Sequence, residues 1–244
     1  MVDRLSLSNH VLLEASVSLD PMMFSETTLA GAYIIDVERH RDSRGYFARS
    51  FCADAFLAHG LKPFVAQGSI SFNTKRGTLR GMHFQYPPAA EAKYVRCTKG
   101  AATDVIVDLR PESPTYLQHV AVNLSAGNGR GLYVPERFAH GFMTLTDDTE
   151  LVYLISNYHT PCAQGGLAYD DRALGIAWPA EVRVISERDK AWKQYSEIGA
   201  ELKVRMSLAA LDDGCAAAAV NLKLAPASQF RPETPTASQI DDRQ

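Results

Sequence analysis

DVIVDL at residues 104–109 and HVAVNL at residues 119–124 both alternate with period two. In the first run Val105, Val107 and Leu109 point one way, and Asp104, Ile106 and Asp108 the other; in the second, Val120, Val122 and Leu124 share a face. The stretches 150–155 and 182–185 follow the same rule, and turn signals stand between such runs at Lys99-Gly100, 110–114, 127–131 and 146–149. Helical spacing stands out only at 54–59 and around 190–198. Many short strands broken by turns specify an all-β sandwich or barrel, and the roughly 170 residues of the zone fit one jelly roll better than two domains.

Working outward, residues 1–27 show no sustained periodicity and are expected to form an N-terminal arm. Residues 28–205 make the domain. From 206 to 244 the composition shifts to Ala, Pro, Ser, Gln and Asp, with Ala216 to Ala219 in a row and PETPTASQ near the end. That tail is expected to be largely disordered from about residue 223, with a short helix at 208–220 as the exception.

The chain is 46% hydrophobic and 22% charged, with a net charge of −3, so it lacks the basic footprint of a nucleic-acid binder. No apolar run approaches the roughly 20 residues of a membrane span. Asp3 and Glu14 interrupt any signal-peptide core, and Cys52, Cys97, Cys162 and Cys215 show no CxxC spacing. Reduced thiols in a cytoplasmic protein are the expectation.

Four clusters carry side chains capable of chemistry. In GTLRGMHFQ (77–85), strict alternation would send Arg80 and His83 to opposite faces, but a glycine inside a strand marks a bulge or a close backbone approach that re-aims its neighbours. VPERFAHGF (134–142) presents Arg137 and His140 on a turn, and EAKYVRCTKG (91–100) presents Lys93 and Arg96. Tyr153 sits in an apolar strand, and Asp189 closes ISERD (185–189). Taken singly, each has an ordinary structural explanation: a satisfied core histidine, solvated charges, a core tyrosine, a helix cap.

Their order changes that reading. DSRGYFAR (42–49), QGSISFNTKRGTLRGMHFQ (67–85), AKYVRCTKGAATDVIVDLRPESPTY (92–116), LYVPERFAHGF (132–142), YDDRALGIAWP (169–179) and ISERD together resemble the dTDP-4-dehydrorhamnose 3,5-epimerase family. The resemblance implies a cupin-type jelly roll, or double-stranded β-helix, with a few short helices. It implies a cofactor-independent isomerase acting on a dTDP-linked 4-keto-6-deoxy sugar, in deoxysugar synthesis for a polysaccharide or a secondary metabolite. His83 would be the base, Asp189 its carboxylate, Tyr153 the acid on the other face, and Lys93 the cation at the sugar carbonyl. Arg44, Gln67, Ser71, Arg80 and His140 match positions that hold the nucleotide diphosphate or sugar. A homodimer is implied as well, in which Arg44 would serve the neighbouring subunit's site.

The chemistry agrees with these roles. Protons at C3 and C5 are acidified by the C4 ketone, and epimerisation needs one group on each side of the ring. Metal-binding cupins use an HxH pair, whereas His83-Phe84-Gln85 lacks the second histidine, so no metal is expected. The sequence departs from the family at Ser69, where many members carry Asn, and at His159, where a second active-site tyrosine is common. His159 is therefore expected at the substrate, either restricting the enzyme to C3 epimerisation or contacting thymine or sugar with both inversions intact. A non-catalytic nucleotide-sugar-binding cupin is the remaining alternative, disfavoured by the retention of both His83 and Tyr153.

Overall fold

The computed structural model describes residues 22–207. The expectations for the tail and its 208–220 helix lie outside those residues. Eleven of the strands among them form two facing antiparallel sheets, each with the chain order of a jelly roll. One sheet runs β1 (Met22–Glu26), β2 (Tyr33–Val37), β10 (Gly131–Val134), β7 (Lys93–Lys99), β12 (Thr149–Ile155), β5 (Gln67–Asn73). The other runs β13 (Gln164–Gly166), β6 (Leu79–Gln85), β11 (Phe138–Thr144), β8 (Ala101–Asp108), β9 (His119–Ser125). A separate hairpin, β3 (His40–Asp42) with β4 (Gly45–Phe47), stands outside both. Among the described residues the α-helices are α1 (Ala53–Ala58), α2 (Glu187–Lys190) and α3 (Tyr195–Met206).

The first sheet starts at Met22, inside the segment read as an arm, because Met22 and Phe24 alternate over too few residues to show a period. Pairing with β2 nonetheless buries Met22. The 182–185 stretch makes a single bridge, Thr78 to Val184, rather than a strand. The helical signal near 190–198 is split between α2 and α3.

The alternation in DVIVDL separates two cores, and neither face meets water. Ile106 and Ala102 pack between the sheets with Val95, Cys97, Leu151 and Phe142. Val105, Val107 and Leu109 pack outward with Met82 and Phe84, under Leu202 and Met206 of α3. The outer face of the first sheet is covered in the same way, by Phe56 of α1 against Ile35, Tyr94 and Tyr133. Each such buried aliphatic or aromatic side chain contributes about 1.5–3 kcal/mol by leaving water. Asp104 and Asp108 lie on the inner face and are fully buried. Asp108 is satisfied at the strand end by Arg110, Ser113 and Thr115, which outweigh the upward push of burial and hold its carboxyl below the usual range.

β6 carries the irregularity that its glycine announces. His83 pairs with His140 and Arg80 with Phe142, so three steps along β6 match two along β11. The extra residue turns Arg80 and His83 to the same side. Gly81 has φ +129°, and a Cβ there would stand 2.6 Å from Gly141 Cα and 3.0 Å from the His140 carbonyl oxygen. Only glycine fits. Gly81→Ala is expected to lower stability by about 2–4 kcal/mol through backbone strain and overlap, read as a fall in the urea midpoint at unchanged slope.

Candidate active site

The mouth of the barrel holds a cavity of about 370 Å³, lined from both sheets. From the first sheet come Gln67, Ser69, Ile70 and Ser71 of β5, Tyr153 and Ile155 of β12, and Lys93 of β7. From the second come Arg80 and His83 of β6, with His140 and Phe142 of β11. Deeper along the same inner faces the side chains turn apolar, so the pocket is the polar end of the inter-sheet core.

His83 is one-third exposed, and its Nε2 lies 2.7 Å from Asp189 Oδ1. Asp189 is buried, and its second oxygen accepts the Gly81 N–H at 3.2 Å. Burial pushes the Asp189 carboxyl up, but the hydrogen bonds and charge of His83 and the Gly81 N–H prevail and hold it below the usual carboxylate range. An ionised Asp189 accepts a hydrogen bond from Nε2–H, which leaves Nδ1 as the unprotonated nitrogen of the neutral imidazole. Asp189 does not cap its helix. Ser186 does, accepting the Asp189 N–H at 3.1 Å, and this leaves the carboxylate of Asp189 for His83.

Tyr153 stands on the opposite sheet. Burial, reinforced by the charge of Asp104 and opposed by that of Arg80, holds its phenol well above the ordinary range. It is therefore a neutral donor at pH 7, and among the described residues no hydrogen bond engages its hydroxyl. His140 packs edge-on against its ring at 5.9 Å, and His140 Nε2 lies 2.8 Å from Asp104 Oδ1. His140 lines the cavity as expected and is itself buried, paired with an aspartate that sequence reasoning passed over. A carboxylate alternating with core residues was the available signal, since such a group must find a partner.

Arg80 reaches across the mouth, donating from Nε to Asn73 Oδ1 at 2.8 Å, and so joins the two sheets at their rim. His159 lines the cavity, and its N–H donates to Gln67 Oε1 at 2.8 Å. Glu91 also lines it, paired with Lys93, and was likewise missed. Arg44 alone of the expected residues neither lines the cavity nor bonds to one that does. It sits in the β3–β4 turn, 87% exposed, with Asp42 as its partner at 2.6 Å. Among the described residues that hairpin pairs only with itself and joins neither sheet.

Among the described residues no group of three or more His, Cys, Asp or Glu side chains is placed to hold a metal ion, and no helix is long and apolar enough to cross a membrane. Among the described residues Cys52, Cys97 and Cys162 form no disulfide.

A carboxylate-backed histidine on one sheet faces a neutral tyrosine on the other across one cavity, and by the family to which it belongs the chain is an isomerase. Residues 26–197 match the family model described as dTDP-4-dehydrorhamnose 3,5-epimerase, and the chain belongs to that family. It is 40% identical over 181 residues to the dTDP-4-dehydrorhamnose 3,5-epimerase of Sinorhizobium fredii, covering 74% of this chain and 93% of that one. It is 36% identical over 163 residues to the dTDP-4-dehydrorhamnose 3-epimerase of Streptomyces niveus, covering 66% and 78%. Among solved structures it resembles the dTDP-6-deoxy-D-glucose-3,5-epimerase of Legionella pneumophila in complex with dTDP-4-keto-L-rhamnose. That match has a TM-score of 0.70 and 34% identity, and covers 74% of this chain and 96% of the other.

Proposed function

We propose that His83 and Tyr153 invert C3 and C5 of dTDP-4-dehydro-6-deoxy-D-glucose through an enolate, giving dTDP-4-dehydro-L-rhamnose. One observation carries this reading: the base and the acid hang from opposing sheets across a single cavity. His83 takes the proton from C3 or C5, its imidazolium stabilised by Asp189. The electrons move into the C4 carbonyl, where Lys93 faces the developing oxyanion. Tyr153 then donates its phenolic proton to the same carbon from the other side, and proton exchange with solvent restores both groups. Neither a redox change nor a metal is required by these steps.

Arg80, Gln67, Ser71 and His159 at the rim supply donors for the nucleotide diphosphate and sugar, with arginine suited to paired phosphate oxygens. The protein acts in the cytoplasm as a homodimer in which Arg44 reaches the neighbouring site. Supporting this, the β3–β4 hairpin exposes Tyr46 and Phe47, and the unpaired edge of β5 exposes Ile70 and Phe72.

A second reading, epimerisation at C3 alone, is favoured by His159 at a cavity position where the family commonly has tyrosine. Incubation with the 4-keto substrate in deuterated water, followed by NMR, separates the readings. Label entering both C3 and C5 is the expected result. Label at C3 alone establishes the 3-epimerase, and absence of label at either carbon leaves only nucleotide-sugar binding.

A further inference from the structure

Lys93 does not reach the cavity unaccompanied. Its ammonium lies 3.0 Å from Glu91 Oε1, and both side chains are only 12% exposed. The other Glu91 oxygen accepts from Gln85 Nε2 at 2.9 Å. Gln85 is buried and its amide is engaged on every side. Nε2 also donates to the carbonyls of Ala89 at 2.9 Å and Tyr158 at 3.1 Å, and Oε1 accepts the Thr160 N–H at 2.6 Å. Tyr158 and Thr160 flank His159, whose side chain lines the same cavity.

We propose that Gln85 and Glu91 are positioning residues, Glu91 fixing the Lys93 ammonium at the sugar's C4 oxygen and Gln85 tying that pair to the loop that carries His159. This rests on the assignment of Lys93 to the enolate oxygen. The physical need is clear from the lysine itself. Its flexible stem offers many rotamers and its ammonium is strongly hydrated, so an unpaired Lys93 would turn toward water. A carboxylate held at one oxygen by Gln85 leaves its other oxygen to set where the ammonium stays. A largely buried ion pair persists only when its remaining lone pairs are satisfied, and the Gln85 amide engages the second Glu91 oxygen. The cation is then in place before charge develops, so no reorganisation accompanies enolate formation. Because the same amide grips both sides of His159, the cation and the rim loop share one support.

The test is a double-mutant cycle on kcat, with dTDP binding measured by calorimetry as the control for folding and nucleotide recognition. Glu91→Ala is expected to lower kcat about 10- to 100-fold through misplacement of the ammonium, with dTDP affinity unchanged. Glu91→Gln, which keeps an acceptor for Lys93, should recover part of that loss. In a Lys93→Met background Glu91→Ala should cost almost nothing further, because its target is gone. Gln85→Met, similar in volume, should lower kcat and not add to Glu91→Ala.

An inactive Lys93→Met beside a fully active Glu91→Ala, or losses that multiply in the double variant, overturns the positioning role and leaves Lys93 at the enolate. A Gln85→Met variant as active as the parent overturns the part given to Gln85. A fully active Lys93→Met removes Lys93 from the mechanism, and the positioning role with it.

Discussion

Replacing His83 by alanine should abolish deuterium entry at both C3 and C5 while leaving dTDP binding intact. Removal of the proton from carbon is the step the proposed mechanism gives to His83, and general-base catalysis of this kind is worth about 10²–10⁴ in rate. A loss of about 10³-fold corresponds to roughly 4 kcal/mol of barrier. The same argument sets the expectation for Asp189→Asn. The amide can offer its N–H to Nε2 and so stabilise the wrong tautomer, and it cannot support the imidazolium. Its rate should fall toward that of His83→Ala, and the two substitutions together should be little worse than either alone. A His83→Ala enzyme that exchanges at the parent rate, measured by NMR in deuterated water, would remove this histidine from the mechanism.

The second large effect is expected at Tyr153, and it differs in kind. With phenylalanine there, His83 can still take a proton and return one to the face it came from. Tyr153→Phe should therefore lose inversion by about 10²–10³-fold, in the range for a general acid, while retaining wash-in of deuterium with unchanged configuration. Exchange without epimerisation is the signature of a missing opposing donor. If exchange and inversion fall together by the same factor, Tyr153 is instead supporting the base or binding the sugar. The ring is the same size, so the packing against His140 survives the change and the two outcomes are not confounded by collapse of the pocket.

Much of this architecture is legible in the sequence, and the reasons differ from part to part. The runs that became β8, β9 and β12 alternate because each strand divides its residues between two faces. That β8 buries both faces could not be read, since the covering residues Leu202 and Met206 lie about a hundred positions away. The bulge at Gly81 was legible because a glycine within an apolar strand has few other uses. Asp189 was ambiguous for a local reason: an acidic residue before a helical run reads as a cap, and only the fold shows Ser186 taking that role. Glu91 and Asp104 were passed over because their partners, Lys93 and His140, draw attention as chemistry-bearing side chains while the carboxylates look like surface charge. Arg44 was identified through the resemblance alone, and among the described residues its ion-pair partner is Asp42.

The separation of 106 residues between His83 and Asp189 has a consequence for the protein during its synthesis. At about 5–20 residues per second, the carboxylate follows the histidine out of the ribosome by roughly 5–20 seconds. During that interval the emerging chain has an imidazole without its anion, and lacks the Thr78–Val184 bridge just ahead of α2. A nascent or prematurely terminated chain ending before residue 189 therefore lacks the carboxylate that pairs with His83. The His83–Asp189 pair thus forms only when the last part of the domain has been made, and a chain truncated before residue 189 is expected to exchange deuterium no faster than Asp189→Asn, measured by NMR in deuterated water.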